Sequence, residues 1–78
     1  MTIQLKDINR AGLSDDVIKQ YQSTDKVKRY IVDIKRGDVF PPIKMYQPVN
    51  GLYTIADGIH RLSAYLYLGI TSFNITIK

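Results

Sequence analysis

The chain has no cysteine, a single histidine, and only seven acidic residues among its 78. Each shortage removes a class of chemistry. Without cysteine there is no disulfide, no thiolate nucleophile and no cysteine-based zinc site. The same absence fits a reducing compartment. With one histidine, His60, no Ser-His-Asp triad can be assembled from pattern. Asp57 and His60, at i and i+3, are two metal ligands without a third, so no metal site is assigned. Long apolar runs are missing too. Nothing approaches the roughly 20 residues of a membrane-spanning helix, and MTIQLKDINR lacks the basic start and apolar core of a signal peptide. The expectation is a cytoplasmic protein with no membrane partner.

What is present fits one domain over residues 1–78. A chain this short has a thin stability margin, which a partner subunit often relieves. The net charge of +4 permits contact with polyanions. It serves solubility equally well. The cations Lys26, Lys28, Arg29, Lys35 and Arg36 cluster, and they are the candidate nucleic-acid-binding residues. The other reading of that cluster is the solvated face of an amphipathic helix.

Apolar spacing orders the elements. TIQLKDI, residues 2–8, alternates as a half-buried strand. Ser14 is a candidate N-cap, with Asp15 and Asp16 in the first turn of a helix that ends near Gln22. Leu13 precedes the cap in position to staple onto Ile18. After Ser23 or Thr24, the residues Val27, Tyr30, Ile31 and Ile34 follow helical spacing, and Gly37 stops the helix. Phe40-Pro41-Pro42 cannot continue it. Residues 43–47 and 52–56 read as hairpin arms around Asn50-Gly51. Asp57-Gly58 then opens a third helix over 59–68, closed by Gly69, and Phe73, Ile75 and Ile77 alternate in a last strand. The order β-α-α-β-β-α-β predicts an α/β or α+β domain, a small mixed sheet with helices packed on it. The third helix is apolar on nearly every side, so it needs the sheet on one face and a second element on another.

The stretch ADGIHRLSAYLYLG carries the chemistry. A strand that turns through Asp-Gly into a helix exposes N–H groups with no partner inside the helix. With the helix dipole they attract an anion, and Gly58 gives close access to the backbone. Cations in a first turn work against the dipole, so His60 and Arg61 there make sense when an anion joins them. A phosphate is the natural candidate, and arginine grips one with two hydrogen bonds. Ser63 offers a hydroxyl one turn on. The plain alternative has Asp57 capping the helix, Arg61 paired with a carboxylate and His60 merely half-buried.

The helix before Gly37, the strand PPIKMYQP, the hairpin, and Gly-Ile-His-Arg opening a helix that ends in Leu-Gly resemble the ParB/sulfiredoxin-like superfamily. The resemblance runs from about Lys28 to Lys78, and the opening strand fits as well. It implies that fold, and it implies that the strand-to-helix turn binds nucleotide phosphates, as sulfiredoxins do with ATP and ParB-type proteins with CTP. It carries the phosphate-binding turn onto Gly58, His60 and Arg61. Sulfiredoxin-like members hold their catalytic cysteine, and ParB-type members a glutamate, where this chain has Ile59. Sulfinic-acid reduction is therefore excluded. The second, Gln/Arg-rich phosphate motif of ParB-type members is not found here, nor are their helix-turn-helix and dimerising tail.

Three functions follow. The first is a nucleotide- or phosphate-binding module, with weak hydrolase, kinase or nuclease activity. Its cofactor would be a nucleoside triphosphate with Mg²⁺, His60 and Asp57 would be catalytic, and Asp57 or Asp38 would serve the metal or act as base. The second is a DNA-binding accessory domain using the basic helix, from a plasmid, phage or bacterial regulatory system. The third is a catalytically inactive interaction module, a homodimer or a partner for another protein. Ile59 in the catalytic slot and the six tyrosines favour this one, since tyrosine is enriched at interfaces.

Overall fold

A computed structural model describes residues 1–78. Strand β1 covers Thr2–Gln4, helix α1 Asp15–Gln22, helix α2 Asp25–Lys35, strand β2 Ile43–Met45, strand β3 Ile55–Asp57, helix α3 Ile59–Tyr67 and strand β4 Ser72–Ile77. The β-α-α-β-β-α-β order predicted from apolar spacing is the observed one. The sheet runs β1-β4-β2-β3. β1 is antiparallel to β4, β4 is parallel to β2, and β2 is antiparallel to β3, so the sheet is mixed.

Local chemistry sets the helix ends. The Ser14 hydroxyl accepts from the Val17 N–H at 3.3 Å, and the Thr24 hydroxyl accepts from the Val27 N–H at 3.3 Å. Gly37 and Gly69 take positive φ just past α2 and α3. Beyond α3 the Ile70 N–H donates to the Tyr65 carbonyl at 2.9 Å and the Gly69 N–H to the Leu66 carbonyl at 3.1 Å. That is the paired closure a left-handed residue permits. The hairpin turn has positive φ at both Asn50 and Gly51, as a two-residue turn of this hand requires.

The strands are shorter than alternation predicts. The expected strand 2–8 stops at Gln4, because the Asp7 carboxylate accepts the Gln4 N–H at 2.9 Å and folds residues 5–7 into a single 3₁₀ turn. Ile8 then bridges Tyr53 in parallel. The Tyr53 N–H donates to the Asp7 carbonyl and the Asn9 N–H to the Tyr53 carbonyl, both at 2.8 Å. The opening segment is thus bonded at both sides of the sheet. The hairpin arms shrink from 43–47 and 52–56 to Ile43–Met45 and Ile55–Asp57, with an irregularity at Lys44/Met45.

Helix α3 is central, as its all-round apolar character requires. Leu62 joins the sheet residues Ile3, Ile8, Ile43, Met45, Phe73 and Ile75 in the main core. Ala64 faces the other way and packs with Val27 and Ile31 of α2. Of its two tyrosines, Tyr65 lies on Phe73 with centroids 5.8 Å apart, while Tyr67 faces outward. Burial pushes the Tyr65 phenol above its ordinary value, and the nearby Arg61 charge opposes this.

At the end of α2, Arg36 pairs with Asp33 at 3.0 Å and with Asp38 at 2.7 Å. The hydrogen bond from Arg36 holds the Asp38 carboxyl below the usual carboxylate range. A depressed folded-state value contributes stability above about pH 4, and that contribution disappears as pH falls through the folded value. Both groups are exposed, so the effect is small. Melting curves between about pH 2 and pH 6 should show the native chain losing slightly more stability on acidification than Asp38→Asn. Equal losses would show that the pair contributes nothing.

Candidate phosphate site at the start of helix α3

The chain leaves β3 through Asp57 and enters α3 at Gly58, whose φ is 118°. No side chain caps this helix. The N–H groups of Ile59, His60 and Arg61 make no hydrogen bond to backbone or side chain, and the first bond of the helix is Leu62 N–H to the Gly58 carbonyl at 2.9 Å. Three donors therefore point out of a helix end that carries partial positive charge.

A groove of about 380 Å³ opens at this turn. Thr54 to Asp57 form one wall, Asn9, Ala11, Leu13 and Tyr21 of α1 form the other, and Gly58 and Ile59 lie at the end. Its size is that of small-ligand pockets. Most of its lining is apolar, with Asn9, Thr54 and Asp57 the polar exceptions. The Asn9 side-chain oxygen already accepts the Ala11 N–H at 3.0 Å, which shapes the loop.

The residues singled out from sequence fare differently. Gly58 is buried, and a Cβ there would lie 3.1 Å from Cγ2 of Ile43. The glycine is required by its φ and by its packing on β2 as well as by access from the groove. His60 is half-buried and meets the Tyr21 ring edge-on at 5.2 Å, with neither ring nitrogen hydrogen-bonded to protein. Arg61 is committed: Nη1 donates to the carbonyls of Pro41 at 2.8 Å and Pro42 at 3.1 Å. Its Nη2 lies 3.7 Å from the Asp57 carboxylate. The plain expectation of an Arg61–Asp57 pair thus coexists with a strap onto the diproline loop. Asp57 is exposed and does not cap the helix.

Ser63 does not reach the groove. It is fully buried, and its hydroxyl donates to the Ile59 carbonyl at 2.8 Å. A serine four residues into a helix has that carbonyl directly within reach, so the hydroxyl expected for phosphate is spent inside. The Ser63 carbonyl in turn accepts from the Gln22 amide at 3.0 Å, tying α1 to α3.

The basic residues do not gather at this turn. Lys26, Lys28, Arg29 and Lys35 lie on the exposed faces of α2, with Arg36 at its C-terminal cap. At 100° per residue, Lys28 and Lys35 share one flank while Lys26 lies toward the other. Lys26 sits 6.0 Å from the centroid of the Tyr30 ring. Arg36 is held by two carboxylates.

The wall residues Asn9, Tyr21 and Thr54 were not identified from sequence. Tyr21 registers there only as part of an apolar helix face, and the other two sit in segments whose spacing says nothing about each other. No three histidine or acidic side chains converge anywhere, and Asp38 is paired with Arg36 away from the groove.

No family model matches the chain, and no curated protein matches it. Among solved structures, sulfiredoxin from Arabidopsis thaliana superposes with a TM-score of 0.69 at 27% sequence identity. The alignment covers 100% of this chain and 84% of that one. This is the ParB/sulfiredoxin-like fold. Within the sulfiredoxin-like pattern, the slot between glycine and histidine is filled here by Ile59. Its side chain is half-buried and packs against the sheet core. Ile59 is thus a packing residue, and the chain has no cysteine. No helix is long and apolar enough to cross a membrane.

Proposed function

We propose that the chain is a phosphate-binding module that takes a nucleoside phosphate in the groove at the start of α3. One observation carries the reading: the uncapped first turn of α3 opens directly into a groove of ligand size. The N–H groups of Ile59, His60 and Arg61 would hold phosphate oxygens at the end of the groove, while the side chains of His60, packed on Tyr21, and Arg61 stand outside the groove lining. Arg61 adds fixed positive charge from its strapped position. The apolar walls, with Tyr21, suit a base or ribose better than bare phosphate.

Mg²⁺ fits here only as a companion of the nucleotide. Asp57 is the one acidic side chain lining the groove, and Mg²⁺ is commonly held by one or two carboxylates together with phosphates. Asp57 without the ion would repel phosphate, so binding should improve with Mg²⁺. Weak hydrolysis would use His60 as proton carrier, the side chain best suited to that near neutral pH. The basic side chains of α2 do not extend this groove, which favours a nucleotide over a nucleic-acid strand.

The test is a thermal-shift panel of ATP, CTP, GTP, pyrophosphate and a short DNA duplex, each with and without Mg²⁺. A ligand at about 100 times its dissociation constant stabilises by about 2.7 kcal/mol. In a domain this small that raises the melting temperature by roughly 10–20 °C. His60→Asp places a carboxylate where the helix dipole favours it but a phosphate does not. It should abolish the shift while leaving the ligand-free melting point within a few degrees. No shift with any phosphate would overturn the proposal.

A further inference from the structure

The chain has three asparagines, and the structure treats them differently. Asparagine is a chemically labile residue, and its reactivity depends on the backbone nitrogen that follows it. The Asn9 side-chain oxygen accepts the Ala11 N–H at 3.0 Å, and the next residue is the bulky Arg10. The Asn74 side-chain oxygen receives the Met1 amino group at 3.3 Å. The nitrogen that follows Asn74, that of Ile75, already donates to the Met1 carbonyl at 2.7 Å. Asn50 has neither restraint. Its side-chain amide bonds to no protein group, and the Gly51 N–H is equally free. Glycine puts no Cβ beside that nitrogen, and the space around it is open.

Mobility singles out the same residue. Residues 46–52 are all exposed, Val49 to 71%. The tip is closed by two bonds between Val49 and Leu52, each 3.0 Å. Solvent-exposed backbone bonds with no buried side chains over them open at little cost.

We propose that Asn50 is a site of spontaneous deamidation, and that the isoaspartate it yields unlocks the hairpin tip. The Gly51 nitrogen attacks the Asn50 side-chain carbonyl carbon and loses its proton. The bond from that carbon to the side-chain nitrogen breaks, and ammonia leaves. The cyclic imide so formed takes up one water. Opening at the side-chain carbonyl gives isoaspartate's isomer, ordinary aspartate, when the backbone amide is retained; opening at the backbone carbonyl gives isoaspartate. No oxidant or reductant enters. Ring closure needs the Gly51 nitrogen and the Asn50 side chain on the same side of the Cα–C bond. A turn with positive φ at both central residues holds ψ of the first near about +30°, which keeps them apart. The Val49–Leu52 bonds therefore open before the ring closes, so the turn sets the pace of the reaction.

The two products differ in consequence. Aspartate tolerates left-handed backbone as asparagine does, so it keeps the turn and adds only a negative charge. Isoaspartate routes the main chain through the side-chain carbon and lengthens it. A two-residue loop fixes the register of its arms and cannot absorb the extra atom, so the Val49–Leu52 bonds are lost. The loosening ends at Tyr53, whose N–H and carbonyl are bonded to Asp7 and Asn9.

The experiment incubates the whole 78-residue chain at neutral and at mildly alkaline pH. Peptide mass spectrometry maps the deamidated positions, and an isoaspartyl methyltransferase reports isoaspartate. The free peptide QPVNGLY is run beside it. Conversion at Asn50 should be at least roughly tenfold faster than at Asn9 or Asn74, and roughly threefold or more slower than in the peptide. It should quicken at the higher pH, because the attacking nitrogen must lose its proton. The isoaspartate form, separated by ion exchange, should exchange its Val49 and Leu52 amides faster than the native chain. Its melting temperature should fall by only a few degrees, since the tip buries nothing. Freshly prepared Asn50→Asp should leave both properties unchanged. Conversion at Asn50 no faster than at the other two asparagines overturns the site. A folded rate equal to that of the peptide overturns control by the turn. Native exchange at Val49 and Leu52 in the isoaspartate form overturns the unlocking.

Discussion

Gly58→Ala is expected to destabilise the domain by about 2–4 kcal/mol, the largest effect of any glycine-to-alanine change in this chain. Two independent costs combine. At φ 118° an L-residue lies outside its comfortable backbone regions, and holding it there costs about 1–3 kcal/mol. The new methyl would also lie 3.1 Å from Ile43 Cγ2 and 3.4 Å from Cγ1. Ile43 is fully buried in the centre of the sheet core, so it has little room to retreat. Total stability for a chain of this size is about 4–12 kcal/mol, and the melting temperature should fall by roughly 10 °C or more. A D-alanine introduced at position 58 by chemical synthesis favours positive φ and carries its methyl away from the L position beside Ile43, so it should recover most of the loss from both costs together. A melting temperature for Gly58→Ala within about 2 °C of the native chain would show that neither cost is real.

Gly58 also shows where reading the sequence stops. Asp-Gly before an apolar run announces a strand-to-helix turn, and that turn is present. The glycine's second partner, Ile43, lies on another strand 15 positions earlier, and no local pattern encodes it. The helices were legible because their causes are local: capping hydroxyls at Ser14 and Thr24, 3.6-residue spacing in α2, glycines after α2 and α3. The strands were less so. Residues 2–8 alternate well enough for a strand, but the short side chain of Asp7 reaches back to the Gln4 N–H and turns the chain. Ser63 reads as a free hydroxyl until its helix is packed on both sides, which turns it inward. The basic residues of α2 read as one face, yet helical geometry spreads them over two flanks and Asp33 and Asp38 take Arg36. In the candidate site, Asp57 and Gly58 are named from their order and line the groove, while His60 and Arg61 stand outside its lining. The other walls were not legible, because they come from separate segments.

Arg61→Ala should cost about 1.5–2 kcal/mol, enough to lower the melting temperature by roughly 10 °C. The Arg61 side chain is only 17% exposed, and its guanidinium joins α3 to the loop before β2 through the Pro41 and Pro42 carbonyls. Charged hydrogen bonds of this kind are worth about 1.5–3 kcal/mol. Both carbonyls lie close enough to solvent for water to take over part of that role, which sets the lower end. The loss has a consequence for the phosphate proposal. Arg61→Ala weakens the scaffold whether or not the residue ever meets a ligand, so its melting point alone says nothing about binding. Arg61→Lys divides the two roles. Lysine keeps the charge beside the turn but lacks the planar fork that spans two carbonyls. It should recover less than half of the lost stability while preserving most of the nucleotide-induced shift measured against its own baseline. If stability returns and the ligand shift does not, Arg61 grips the phosphate through its fork and the strap is incidental. If neither returns, both the strap and the anion site need the fork; a ligand shift that survives in Arg61→Ala would instead show that the N–H groups of the turn carry the anion alone.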